Sequence, residues 1–328
     1  MSVYPRRLRN VATGGPCLRE AVSRPETRGN GNTLTRRSLL LALSATPLLP
    51  LDTARAEDAI GKARRRIVSL NWAASQTLYA LGVTPVGAAE IPGYDRMVGY
   101  PPTPPGVVDV GFQGDPNLEL LASLRPDLLL IQSWQAAARP LLERFAPVES
   151  FTVYDRGAGD PVAAASDMAL RIADLAGHST AGPDLVARVE HVFSDCATRL
   201  RAVEAQAVLL VQALSPTNLV VFTHGSLFGS VMKRIGLTNA WSKPPTLLWG
   251  STQIGVDALA DYPQARIVWM ASPDGAASQA LYASALWRQL PQVARGAVCD
   301  LPLVWGFDGL PTAERFARLL TARLTAAV

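Results

Sequence analysis

The sequence predicts an α/β protein: two α/β lobes with mainly parallel sheets, joined by a single long helix, with a cleft between the lobes. Three observations predict it. Short β-rich runs alternate with helical stripes in both halves, the order of these units recurs from one half to the other, and one uninterrupted helical stripe lies between them.

Taken in order, residues 1–56 read as a leader that is removed. Thr35-Arg36-Arg37-Ser38-Leu39-Leu40 opens an apolar run ending at Leu51. The run is about 13 residues, too short for the roughly 20 that a spanning helix needs. Ala54-Arg55-Ala56 offers a small-residue cleavage site. The Arg pair resembles a twin-arginine signal, which implies export of the already folded chain to the periplasm. The rest divides into an N-terminal lobe (57–159), a linking helix (160–177) and a C-terminal lobe (178–328).

In the first lobe, Arg66-Ile67-Val68-Ser69-Leu70 is a strand. A helical stretch with Leu78 and Leu81 on one stripe follows and stops at Gly82. In the second, Leu219-Val220-Val221-Phe222 leads into Leu227, Val231 and Ile235 at helical spacing, stopped by Gly236. A second pair of units keeps the order: Leu118 to Ala122, then the strand Leu128 to Ile131, against Val256 to Ala260, then the strand Arg266 to Met270. Between the halves, Asp160-Pro161 is an N-cap followed by Pro at the first helical position, and Ala165, Met168, Ala169, Ile172 and Leu175 form the stripe that ends at Gly177. At 1.5 Å per residue this is a rod of roughly 24 Å, and a single rod permits less hinge opening than flexible strands do.

Composition excludes several classes. The chain has 328 residues, 48% hydrophobic and 18% charged, too apolar for intrinsic disorder. The pI near 9.1 suggests nucleic acid, but nine of the 31 bases and only three of the 27 acids lie in residues 1–56. Residues 57–328 therefore carry 22 bases against 24 acids, which gives no field for tracking phosphates, and no nucleic-acid partner is expected. Three Cys make no disulfide scaffold, and there is no C-x-x-C zinc pattern. Cys196 and Cys299 are read either as a pair formed after export or as two buried thiols. His178, His191 and His224 fall on separate elements and are not expected to converge on a metal. His224-Gly225-Ser226-Leu227-Phe228-Gly229 looks like a serine-hydrolase motif, but G-x-S-x-G needs Gly at 224 and 228, so Ser226 reads as an N-cap.

Several blocks resemble the periplasmic ferric-hydroxamate siderophore-binding proteins, the receptors of iron-siderophore ABC importers. They are Arg66 to Trp72, Val108-Asp109-Val110-Gly111 with Pro116 to Leu121, Asn239-Ala240-Trp241, Trp249-Gly250-Ser251-Thr252 with Asp257, and Val304-Trp305. The resemblance implies a monomeric, non-enzymatic receptor that delivers a ferric hydroxamate siderophore to an inner-membrane ABC permease. It implies no resident cofactor or metal, the ferric complex being cargo. Vitamin B12 and haem are the alternative ligands on the same fold.

A ferric trihydroxamate is compact, its six oxygens already satisfying the metal, so its receptor needs an aromatic cleft with a few donors. Trp72, Trp134, Trp249, Trp305 and Phe307 stand at strand or loop ends, where open α/β sheets place ligands. Ser251 and Thr252 join them from the shared block, Trp249 standing just before a predicted helix. Trp241, Trp269 and Trp287 read as core. The family pattern has an Arg after the Asp-Val-Gly block and a Tyr after the PDLLLI strand. Here the first is Gln113 and the second loop reads Gln132-Ser133-Trp134-Gln135, so amides stand in for a charge-assisted donor and anionic complexes are disfavoured. The resemblance also implies one permease-docking acid per lobe, assigned to Glu143, in a helical run from Arg139 to Phe145, and to Asp274.

Overall fold

The computed structural model describes residues 65–154, 159–203, 207–246, 248–273 and 275–326. The leader with its Arg pair, and Asp274, lie outside the described residues.

The first sheet has the order β3-β2-β1-β6-β7, with β1 Ile67–Ser69, β2 Gly87–Ala88, β3 Val108–Asp109, β6 Leu128–Gln132 and β7 Val148–Phe151, all parallel. A small hairpin, β4 Gly111–Phe112 with β5 Asp115–Pro116, stands beside it. The second sheet has the order β10-β9-β8-β11-β12, with β8 Val208–Ala213, β9 Asn218–Phe222, β10 Ser251–Gly255, β11 Arg266–Met270 and β12 Val298–Leu301. Here β8, β11 and β12 are parallel, and β9 runs antiparallel to both β8 and β10. Two α/β lobes with mainly parallel sheets, joined by a helix, are thus present.

The echo between the halves holds for β6 and β11 but not for β1 and β9. β8 occupies the central place that β1 has in the first sheet, and β9 folds back on it as a hairpin. Both central strands are buried on two faces, so they are continuous apolar runs without alternation.

Five helices matter for the site: α1 Trp72–Ala80, α2 Pro161–Leu175, α3 Ala181–Leu200, α4 Leu227–Arg234 and α5 Leu310–Thr325. The linking helix α2 starts as its sequence demands, with the Asp160 side chain accepting from Val162 N at 3.0 Å and Pro at the first position. Asp160 also accepts from Ser230 and Arg234 of α4. Burial alone would raise its carboxyl, but these partners outweigh it and hold it below the ordinary value. Ser226 is the N-cap of α4, its Oγ accepting from Gly229 N and donating to Thr223 O. That use explains the hydrolase-like motif.

Alternation in β1 and β6 sends Ile67, Leu128 and Leu130 to one core and Val68, Leu129 and Ile131 to another. The first of these cores is shared. It runs from Ile67 and Leu78 through Met168 and Ile172 of α2 to Phe222, Phe228 and Phe316. Trp241, Trp269 and Trp287 pack on the far face of the second sheet, as expected for core residues. Cys196 and Cys299 are free and buried. Among the described residues no helix is long and apolar enough to cross a membrane.

Candidate ligand-binding site

In the first sheet the chain leaves β1 for β2 on one side and reaches β6 on the other, so the crevice beyond the carboxyl ends of β1 and β6 is a topological switch point. The turns that follow these two strands open onto a cavity of about 370 Å³.

After β1, Asn71 caps α1 by accepting from Ala73 N at 2.9 Å. Its Nδ2 donates to Gln113 Oε1 at 3.1 Å, and the Trp72 amide donates to the same oxygen at 3.3 Å. Trp72 is thereby fixed at the first turn of α1. Gln113, on the hairpin, is held from behind by Gln135, whose Nε2 donates to Leu70 O at 2.9 Å and Gln113 O at 2.7 Å. After β6, Gln132 and Gln135 close a reciprocal capping box that starts the 3₁₀ turn Ser133–Ala138 and presents Trp134, 50% exposed, at the rim.

The second lobe supplies Trp249, Trp305, Phe307 and Asp308, with Tyr154 from beyond β7. Trp305 and Phe307 meet edge to face at 5.2 Å; Trp305 meets Trp72 at 5.6 Å, and Trp249 lies on Phe307 at 4.8 Å. The wall is therefore one continuous aromatic array drawn from both lobes. Trp249 is held in left-handed backbone at φ 64. Gly250 follows at φ 70, where any Cβ would lie 2.1 Å from Gly225 O. Thr223 pins this turn through its N–H at 3.0 Å and its hydroxyl at 2.8 Å, both to Gly250 O. Such strain is tolerated where the surroundings over-determine the backbone.

Six of the residues expected at the site, Trp72, Gln113, Trp134, Trp249, Trp305 and Phe307, line this one cavity. Ser251 and Thr252 do not. They are buried in β10, paired with Phe222 and Val221, and Thr252 shares a hydrogen bond with Thr246. A strand, not a helix, follows Trp249; the expected helix is the 3₁₀ segment Val256–Asp261. Glu143 ends the short helix Arg139–Leu142 as an exposed acid ion-paired to Arg139 at 2.7 Å.

Four lining residues were not singled out from sequence: Asn71, Gln132, Tyr154 and Asp308. Gln132 was detectable, as the polar last residue of the apolar strand LLLIQ. Asp308 carried no signal. It is 0% exposed, and no hydrogen bond of normal geometry reaches either carboxyl oxygen. Burial pushes its carboxyl well above the ordinary range, only partly offset by the nearby Thr312 hydroxyl. The Tyr154 hydroxyl donates to the Asp308 carbonyl.

Two donors on the lining, Trp72 Nε1 and Gln132 Nε2, are buried without a protein acceptor. An unmet buried donor costs about 1–3 kcal/mol, which an acceptor on a bound ligand would recover. Among the described residues, no Lys, Arg or His lines the cavity. Among the described residues, no cluster of His, Cys, Asp and Glu could hold a metal ion. The arrangement suits a compact, largely apolar guest that presents oxygen acceptors.

Residues 67–303 match the family model described as Periplasmic binding protein. The chain belongs to this family. Among its relatives, the iron(3+)-hydroxamate-binding protein FhuD of Escherichia coli is 33% identical over 288 residues, covering 88% of this chain and 95% of the relative. The Fe(3+)-citrate-binding protein YfmC of Bacillus subtilis is 22% identical over 257 residues, covering 77% and 79%. Of solved structures, the Fe3+-Desferal-bound siderophore-binding protein FhuD of Vibrio cholerae superposes with a TM-score of 0.76 at 28% identity, covering 81% of this chain and all of that one. In this periplasmic binding protein the cavity at the switch point stands where the two lobes both contribute side chains.

Proposed function

We propose that the chain is a soluble periplasmic receptor that binds a ferric hydroxamate siderophore and delivers it to an inner-membrane ABC permease, as a monomer, without catalytic turnover and without a resident cofactor. One observation carries this reading: an aromatic cavity whose lining, among the described residues, has two unpaired buried N–H donors and no basic side chain. Aromatic faces cover the hydrocarbon exterior of such a complex, and Trp72 Nε1 and Gln132 Nε2 donate to its hydroxamate oxygens. The names of the Escherichia coli and Vibrio cholerae relatives support the same ligand class. Among the described residues of the lining, an anionic citrate or catecholate complex would find no charge partner.

Titrating the mature protein with ferric hydroxamates should quench Trp fluorescence, since Trp72, Trp134, Trp249 and Trp305 surround the cavity. Cyanocobalamin and haem are the controls. Quenching by either control, with none from the hydroxamates, would assign the cavity to that ligand instead.

A further inference from the structure

The corner of the cavity around Gln113 is acidic. Gln113 Nε2 donates to Glu90 Oε2 at 3.3 Å. Glu90 is held there by left-handed backbone at φ 55, its N–H pointing to Gly111 O at 2.6 Å and Asp109 Oδ1 at 3.0 Å. A Cβ added to Gly93 would meet Trp72 Cζ2 at 2.7 Å and Glu90 Oε1 at 3.1 Å. The Glu90 carboxylate and the edge of the Trp72 ring therefore flank the same glycine. That edge carries the positive part of the ring quadrupole, which favours a carboxylate beside it. Of the acids in residues 89–98 and 108–117, Glu90 is the one hydrogen-bonded to the Gln113 side chain, while Asp95, Asp109 and Asp115 are exposed. Across the cavity Asp308 is fully buried and its carboxyl is raised by burial, so it is held neutral and leaves Glu90 as the charged group of this corner.

We propose that this acidic corner selects among ferric trihydroxamates by charge: a complex bearing a free ammonium binds more tightly than the same complex without it, and an anionic version binds most weakly. The inference rests on the hydroxamate reading of the site. Its physical basis is the Glu90 carboxylate behind Gln113, with no cation on the lining among the described residues. At an effective dielectric constant near 20, one such charge about 12 Å from the charged group of the guest discriminates about tenfold per unit of ligand charge, less in salt.

The test uses ferric desferrioxamine B with its terminal ammonium free, N-acetylated or N-succinylated, which gives one iron-binding core in cationic, neutral and anionic forms. Titration of the mature protein should give affinities falling in that order, by about tenfold per step at low ionic strength and by less at 0.15 M salt. Glu90→Gln keeps an acceptor for Gln113 and removes the charge. In that variant the three affinities should draw together to within about threefold, with the acetylated complex little changed. Equal affinities of wild-type protein for all three complexes would overturn the charge selection and leave the hydroxamate reading standing. Failure of all three to bind would overturn the hydroxamate reading itself. A wild-type order that persists in Glu90→Gln protein with a wild-type melting temperature would overturn the role given to Glu90.

Discussion

Replacing Trp249 by Gly separates what this residue does for the ligand from what it does for the fold. The ring rests on Phe307 and is 39% exposed toward the cavity. A Trp side chain of about 200–250 Å² then leaves about 90 Å² for a guest to cover, and at about 25 cal/mol per Å² this is worth about 2 kcal/mol, or about 30-fold in Kd. Stability should respond differently. The native φ of 64 strains any residue with a Cβ, and Gly relieves about 1–2 kcal/mol of that strain. The relief roughly offsets the lost contact with Phe307 and the backbone entropy that Gly adds to the unfolded chain. The assay pairs fluorescence titration, using the remaining Trp residues, with thermal melting. The expected outcome is a Kd about 30-fold weaker and a Tm within about 3 °C of wild type. Unchanged affinity would refute the assignment of the ring to the ligand. A Tm falling in step with affinity would show that the ring serves packing instead.

Four further outcomes are expected. Asp160→Ala removes an N-cap and the bonds from Ser230 and Arg234, and urea unfolding should show a loss of about 2 kcal/mol at pH 7. The Asp160 carboxyl is held below its ordinary value, so that contribution is complete above the unfolded pKa of about 4 and disappears as pH falls through the folded value. Asp308 has the opposite sign: its carboxyl is raised by burial, so wild-type stability declines as pH rises past about 4, where the unfolded carboxyl ionises. Asp308→Asn should therefore gain Tm over wild type at pH 8 and not at pH 4. Arg36→Lys with Arg37→Lys should leave uncleaved precursor in the cytoplasm, read by fractionation and immunoblot. Glu143→Ala with Asp274→Ala should abolish siderophore uptake by cells while purified protein keeps its ligand affinity, since charges at a rim govern docking more than pocket chemistry.

Much of this architecture was legible because it is written in local signals. The Asp160-Pro161 start and the apolar stripe that follows define α2 without tertiary help. Trp72 and Trp134 follow the carboxyl ends of β1 and β6, where parallel strands point at one crevice, whereas Trp249 reaches the cavity from the amino end of β10 through the left-handed turn it shares with Gly250. The assignment of β9 as the counterpart of β1 failed for a physical reason. An apolar run records burial on both faces but not strand direction, so Val208–Ala213 and Asn218–Phe222 look alike until their hairpin pairing is seen. Ser251 and Thr252 read as polar candidates beside Trp249, yet the left-handed turn at Trp249 and Gly250 directs the chain into β10 and buries both. Asp308 was invisible because its isolation depends on Tyr154 and α5 closing around it from distant parts of the chain.

The width of the cavity is fixed by more than the linking helix. Gln76, fully buried in α1, accepts from Gly309 N at 3.1 Å and donates to Thr312 Oγ1 at 2.8 Å and Tyr100 O at 2.7 Å. The segment that carries Trp305, Phe307 and Asp308 is thereby tied, at the start of α5, to the first helix of the other lobe. Tyr154 adds a second tie from beyond β7 to the Asp308 carbonyl. Beneath both ties the shared core runs without interruption from Ile67 and Leu78 to Phe228 and Phe316. A wide hinge opening would break these bonds and expose part of that core, at about 1.5–3 kcal/mol for each large side chain uncovered. The aromatic wall is therefore built before any guest arrives, and binding energy is not consumed in assembling it. A preformed wall with two waiting donors recognises shape and oxygen acceptors through contacts already in place. That leaves charge, set by Glu90 behind Gln113, as the property by which we propose similar iron complexes are told apart.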